Sequence, residues 1–291
     1  MNTDKSGTSD QIGSLNTLGY SPIPLKEYLE YIGTISNGLK YRDHYKPFII
    51  SVTGPEDDVV ECYKLITEQQ KHVRMVLAME VNLSCPNIPG KPPPAYSSAS
   101  LLSYLTALKK EIGKQLEPLE QSHPHAGHIH VPIGIKTPPY TYHDQFQAMI
   151  DALLGSAKAE PVHLPCPVSF ITATNTLGSS LLLEPVLKDA EPLYETFERT
   201  VNSANATGVG GLAGAPLHPL ALGNVHTIKG LLFQHDELQG VQIIGVGGVE
   251  DSAGFRRMRA VGASAVGVGT ALGRKGVDVF REIGEGTRGD A

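Results

Sequence analysis

The chain has 291 residues, 41% of them hydrophobic, with 31 Gly and no Trp, a formal net charge of -6 and an isoelectric point near 6.0. A length of this order fits one large barrel or two modest domains, and we expect a single domain over residues 1–291. The acidic balance, without a basic stripe, argues against a nucleic-acid or anionic-membrane surface and leaves small molecules as partners.

The predicted elements are short β-rich runs separated by helical patterns. Gly13 to Gly19 offers no convincing strand, and a helix follows around Leu25 to Ile32. Pro47 to Gly54 is the first clear strand, with a helix over Asp57 to Gln70. Met79 to Leu83 is the second. From Ser98 to Gln115, Leu101, Leu105, Leu108 and Ile112 lie three or four residues apart, one face of an amphipathic helix that packs on a sheet. Ile133 to Lys136 and Val168 to Thr172 are the third and fourth strands, separated by a helix around Asp144 to Leu154. Gly210-Gly211-Leu212-Ala213-Gly214 reads as flexible backbone. Val241 to Val246 and Ala265 to Val268 close the series, with Ser252 capping a helix that Gly262 ends. These are six βα units. Functional-looking residues at nearly every strand end suggest a (β/α)8 barrel, an α/β fold that needs eight strands to close, so we expect one incomplete at its N-terminus. An open doubly wound sheet of six strands is the alternative.

The block Asn82-Leu83-Ser84-Cys85-Pro86-Asn87, running on to Pro92, is the most informative stretch. Its prolines forbid a helix directly after the strand, so Cys85 sits on a rigid loop where reactive groups gather in parallel α/β proteins. The competing account is a small buried hydrophobe. Cys62, Cys85 and Cys166 are well separated and form no CxxC pair, which suggests neither a disulfide framework nor a zinc site and fits a reducing compartment. Met1 to Gly7 is polar, without the apolar core of a signal peptide, and no later run is long enough to span a bilayer, so the expected location is the cytoplasm.

Lys136 ends its strand ahead of a Pro-Pro turn, which aims a fixed charge at an electron-rich ligand unless it is simply solvated. Asn175-Thr176 occupies the same kind of place one strand later. With Asn16, Asn82 and Asn87, Asn175 makes a set of carboxamides able to read imide and carboxylate groups, although any single Asn is more often a turn residue. Gly245-Val246-Gly247-Gly248 and Gly267-Val268-Gly269-Thr270 are successive glycine-rich strand ends; tight turns explain either alone, and together they resemble a phosphate cradle.

These motifs resemble the dihydroorotate dehydrogenase family, in particular its soluble, fumarate-reducing class, over roughly Gly13 to Phe280. That class has Cys as the base in the Asn82 to Pro92 block, where the membrane-associated class has Ser. The resemblance implies that Cys85 takes the C5 proton of dihydroorotate and that Asn16, Asn82, Asn87, Asn175 and Thr176 hold the pyrimidine. It also implies FMN as hydride acceptor, with Lys136 near the flavin ring and Gly214, Gly247, Gly248, Gly269 and Thr270 around flavin and phosphate. Fumarate is the implied electron acceptor, a homodimer the implied assembly, and pyrimidine biosynthesis the implied pathway.

Some segments depart from the family. It has two strands ahead of the Asn16 loop that Met1 to Ile12 does not match, and they supply flavin contacts and a lysine meeting both flavin and substrate. Glu117 to Val131 and Glu195 to Thr207 are insertions. The first carries His123, His125, His128 and His130, but without a paired Cys or a carboxylate after Glu120 it reads as a solvated loop and no metal is expected. Two further readings stay open: a related flavin barrel acting on another pyrimidine, and a catalytically impaired remnant or binding protein.

Overall fold

The computed structural model describes residues 12–17, 21–40, 46–84, 93–122, 130–186, 196–201 and 207–288. In chain order the elements are β1 (Gly13–Asn16), α1 (Leu25–Gly38), β2 (Phe48–Val52), α2 (Glu56–Gln70), β3 (Leu77–Asn82), α3 (Ser98–Ser122), β4 (Ile133–Lys136) and α4 (His143–Lys158). There follow β5 (Val168–Ala173), β6 (Leu177–Ser180), β7 (Leu183–Val186), β8 (Thr196–Arg199), β9 (Gly210–Gly214) and α5 (His218–Phe233). The chain continues with β10 (Gln242–Val246), α6 (Ser252–Ala260), β11 (Ala265–Gly267), α7 (Thr270–Lys275) and α8 (Asp278–Arg288).

The six strands expected from the sequence form one parallel sheet in the order β11-β10-β5-β4-β3-β2. Their runs are apolar because helices cover one face and the curl of the sheet encloses the other. Ile50, Val52, Met79, Val81, Ile133, Ile135, Ile171 and Ile243 are buried on the helix side. On the inner side Ser51 donates to Glu80 (2.8 Å), and Thr172 reaches over β4 to the same carboxylate (2.5 Å). Gly134 makes that reach possible. A Cβ there would overlap the Phe170 ring, so only glycine lets the neighbouring side chains close over β4. The result is a half-closed TIM-type α/β barrel whose edge strands, β2 and β11, have no further strand beside them among the described residues.

The predicted face of α3 is buried as its spacing requires: Leu101, Leu105, Leu108 and Ile112 are all at most 3% exposed. Each such leucine contributes roughly 2 kcal/mol of burial energy. α2 repeats the pattern with Val59, Tyr63 and Ile66. Three expectations need correction. α3 continues to Ser122, well past Gln115, because Leu116 extends its apolar face. The α6 cap is Asp251 rather than Ser252: its Oδ1 accepts the Gly254 N–H at 2.7 Å, while Ser252 is the first helical residue. Gly13–Asn16 and Gly210–Gly214, read as non-strand, pair antiparallel in full register, Gly13 with Gly214 through Asn16 with Gly211. β6 joins them to make a three-stranded sheet, and β7 pairs with β8 in a separate ribbon. Part of the Glu195 to Thr207 insertion is thus strand. His123, His125 and His128 lie outside the described residues.

Two phenols lock this core. Tyr63 donates to the Val131 carbonyl (3.3 Å), and Tyr140 donates to that of Ala95 (2.8 Å) while packing edge-on against Phe146. Burial pushes both hydroxyls well above their ordinary 10.0. A raised folded-state value gives stability that is complete below the unfolded value and lost as pH rises above it. The urea midpoint should therefore hold steady up to about pH 10 and fall beyond it. The Tyr63→Phe/Tyr140→Phe double variant should fall less steeply; an identical alkaline slope would refute the assignment.

Candidate active site

β3, β4 and β5 deliver the polar residues. Their register sets Asn82 beside Lys136 and Lys136 beside Thr172, so these three form one row at the C-terminal ends of adjacent strands. Two residues beyond β5, Asn175 Nδ2 donates to Asn82 Oδ1 at 3.2 Å. The same Oδ1 accepts the Ser84 N–H (3.2 Å), which fixes the carboxamide's orientation. Asn175 Oδ1 in turn accepts the Thr176 N–H (2.9 Å). Lys136 has no ion-pair partner among the described residues, so its ammonium is available to an anionic or electron-rich ligand.

Asn16 ends the first strand of the small sheet. It lies opposite Gly211, and a Cβ on Gly211 would overlap the Thr176 hydroxyl. Glycine at that position brings the β1 end, Thr176 and the mouth of the large sheet together. Cys85 and Asn87 lie outside the described residues. The two described thiols are poor reagents: Cys62 is pushed up by burial and then by Asp58 and Glu61, and Cys166 by burial.

The glycine-rich ends converge as a second cluster. Gly214, Gly247 and Gly248 all have positive φ, 86°, 140° and 65°. A Cβ on Gly248 would lie 2.6 Å from the Gly214 carbonyl oxygen, and one on Gly214 would lie 3.2 Å from Thr270 Cγ2. Thr270 is tied to β1 by a 2.8 Å hydrogen bond with Ser14. Gly269 faces open space, with nothing within 4 Å of where its Cβ would be. Backbone stripped of Cβ atoms at the ends of β10 and β11 suits the phosphate of a nucleotide-like cofactor. Thr174 Oγ1, buried without a hydrogen-bond partner among the described residues, lies on the strand end between this cluster and the Asn82 row.

Two site residues escaped sequence reading. Ser14 stands two positions before Asn16, and nothing local marks its bond to Thr270. Glu80 carried a signal: a carboxylate inside an otherwise apolar strand. It is 6% exposed and anchored by Ser51 and Thr172, one layer beneath Lys136. An apolar groove of about 1230 Å³ runs along α1 and β2, past Tyr28, Tyr31 and Ile49, and opens at Thr53 and Asn82. Among the described residues no His, Cys, Asp or Glu cluster could hold a metal, and no helix is long and apolar enough to cross a membrane.

A curated relative from Streptococcus uberis, named "Putative dihydroorotate dehydrogenase A (fumarate)", is 28% identical over 94% of this chain and 71% of its own length. A like-named protein of Streptococcus pyogenes serotype M5 is 27% identical with the same coverage. Crystal structures of DHODH from Eimeria tenella, with ferulenol and ligand-free, superpose with TM-scores of 0.64 and 0.63 at 20% identity. They share the fold. Each is matched over 94% of this chain, which spans 66% and 68% of their respective lengths. The family model described as dihydroorotate dehydrogenase matches residues 7–288, nearly the whole sequence, and the chain belongs to that family.

Proposed function

We propose that this protein is an oxidoreductase that converts dihydroorotate to orotate with FMN, acting in pyrimidine biosynthesis as a single barrel domain in the cytoplasm. The observation that carries the reading is the Asn82–Lys136–Asn175 group set beside the Gly214–Gly248–Thr270 cluster. FMN, when bound, would supply the acceptor for the hydride that leaves C6 of the substrate. The chain's own groups supply the rest. Asn82 and Asn175, already hydrogen-bonded to each other, present their remaining amide edges to the imide and carboxylate of the pyrimidine, with Asn16, Asn87 and Thr176 completing its rim. Cys85, on the loop leaving β3, takes the C5 proton. Lys136 holds positive charge where electron density accumulates during the oxidation. Gly214, Gly247, Gly248, Gly269 and Thr270 would hold the flavin and its phosphate. Fumarate as acceptor follows the names of the streptococcal relatives.

The edge of β2, unpartnered among the described residues, supports a second reading, a flavin-binding protein without catalysis. One experiment separates the two: the visible absorbance of the purified chain, followed by anaerobic addition of dihydroorotate. Bound flavin that bleaches is the expected result. Flavin that stays oxidised favours the second reading or another substrate, and a protein that folds but never binds FMN overturns both.

A further inference from the structure

Behind the Gly247–Gly248 turn sits a pair of side chains that the proposed chemistry leaves unused. His218 opens α5 and is buried. Its Nδ1 lies 2.7 Å from the Gly247 carbonyl oxygen, and Arg257 Nε, on α6, donates to its Nε2 at 3.1 Å. A carbonyl oxygen only accepts, and a guanidinium N–H only donates. These two neighbours leave the ring one state: neutral, with its proton on Nδ1, so that Nδ1–H donates to Gly247 and Nε2 accepts from Arg257. A proton on Nε2 would face the guanidinium N–H directly.

The turn needs such a hold. Both glycines have positive φ, and Gly248 packs so closely that a Cβ would come within 2.7 Å of His218 Cβ. Glycine tolerates that backbone but also leaves it freest to move, so the surroundings must fix it. In a planar trans peptide the C=O of Gly247 and the N–H of Gly248 point in opposite directions. Fastening the carbonyl to His218 therefore turns the Gly248 N–H away from α5.

We propose that His218 and Arg257 are positioning residues: Arg257 holds the His218 tautomer, His218 clamps the Gly247 carbonyl, and the clamp keeps the Gly248 N–H directed for a phosphate. The proposal rests on the flavin reading above. Both side chains act through the Gly247 carbonyl, so the effect is specific to a phosphorylated ligand.

The test compares FMN with riboflavin, which has the same ring system and no phosphate, by flavin fluorescence titration of the full chain. His218→Ala should weaken FMN binding about fivefold or more and riboflavin binding less than about twofold, the first being the loss of one hydrogen bond's net contribution. His218→Asn, whose amide nitrogen takes the place of the Nδ1 donor, should restore FMN binding to within about twofold of wild type. Arg257→Ala should weaken FMN binding by a smaller factor, because the ring keeps its donor and loses only its enforced tautomer. Equal weakening of both flavins would reveal a merely structural role and overturn the proposal, as would no change in either. If the wild-type chain binds neither flavin, the flavin reading fails, and amide hydrogen exchange at Gly248 of the ligand-free chain tests the clamp by itself. His218→Ala should speed that exchange and His218→Asn should not; unchanged exchange in both would overturn the clamp.

Discussion

Replacing Cys85 by Ala should slow dihydroorotate oxidation by roughly a hundred- to ten-thousand-fold, the usual contribution of a positioned general base. Flavin binding should be nearly unchanged, because the glycine cluster belongs to β9, β10 and β11 while Cys85 follows β3. The loop leaves the sheet with its register fixed at Asn82, which is hydrogen-bonded to both Asn175 and the Ser84 N–H. An ordinary free thiol ionises at about pH 8.5, so wild-type turnover should climb from neutral pH toward that value. Cys85→Ser, with a far less acidic hydroxyl, should keep only a small part of the rate and lose this rise. Single-turnover bleaching of bound flavin is the measurement. An Ala variant that bleaches as fast as wild type would remove Cys85 from the mechanism and leave Lys136 and the asparagines as a binding site whose base lies elsewhere.

Legibility in the sequence followed the range of the interactions. The six central strands were readable because continuous apolar runs bounded by Gly and Pro are what a doubly covered parallel sheet demands. The α3 face was readable because Leu101, Leu105, Leu108 and Ile112 repeat at the helical period. β1 and β9 were not, because Gly210-Gly211-Leu212-Ala213-Gly214 has poor strand propensity. It becomes a strand through pairing with a segment nearly two hundred residues earlier in the chain, where glycine admits Thr176 and Asn16. The candidate site divides in the same way. Asn82, Lys136 and Asn175 were placed by strand ends, while the Ser14–Thr270 and His218–Arg257 contacts join remote positions with no local pattern. Glu80 shows the middle case: an odd carboxylate was visible, but its partners Ser51 and Thr172 appear only when the sheet curls.

Lys109 is the residue that sequence reading would most readily misplace, and its replacement should carry the largest stability cost. In a Lys109-Lys110 pair on an amphipathic helix both look solvent-facing, yet Lys109 is 0% exposed while Lys110 is exposed. The Lys109 ammonium donates to the carbonyls of Ser156 (2.9 Å), Ala157 (2.9 Å) and Ala159 (2.8 Å) at the end of α4. A helix C-terminus leaves carbonyls without intrahelical partners and carries partial negative charge, so one buried cation satisfies three acceptors and the dipole together. Burial pushes the ammonium below its ordinary value, yet these acceptors keep a proton donor indispensable there. Lys109→Met keeps the packing volume but leaves the Ala157 and Ala159 carbonyls without this donor and that of Ser156 with only the Ala159 N–H (3.3 Å), at a cost of about 3–5 kcal/mol. For a chain of this size, a loss at the lower end should depress the melting temperature by roughly 6–12 °C. Lys110→Met, one residue along on the solvent side, should change stability by less than about 0.5 kcal/mol. A Lys109→Met protein as stable as the Lys110→Met control would mean that water reaches the end of α4, and that α3 and α4 are held by their apolar faces alone.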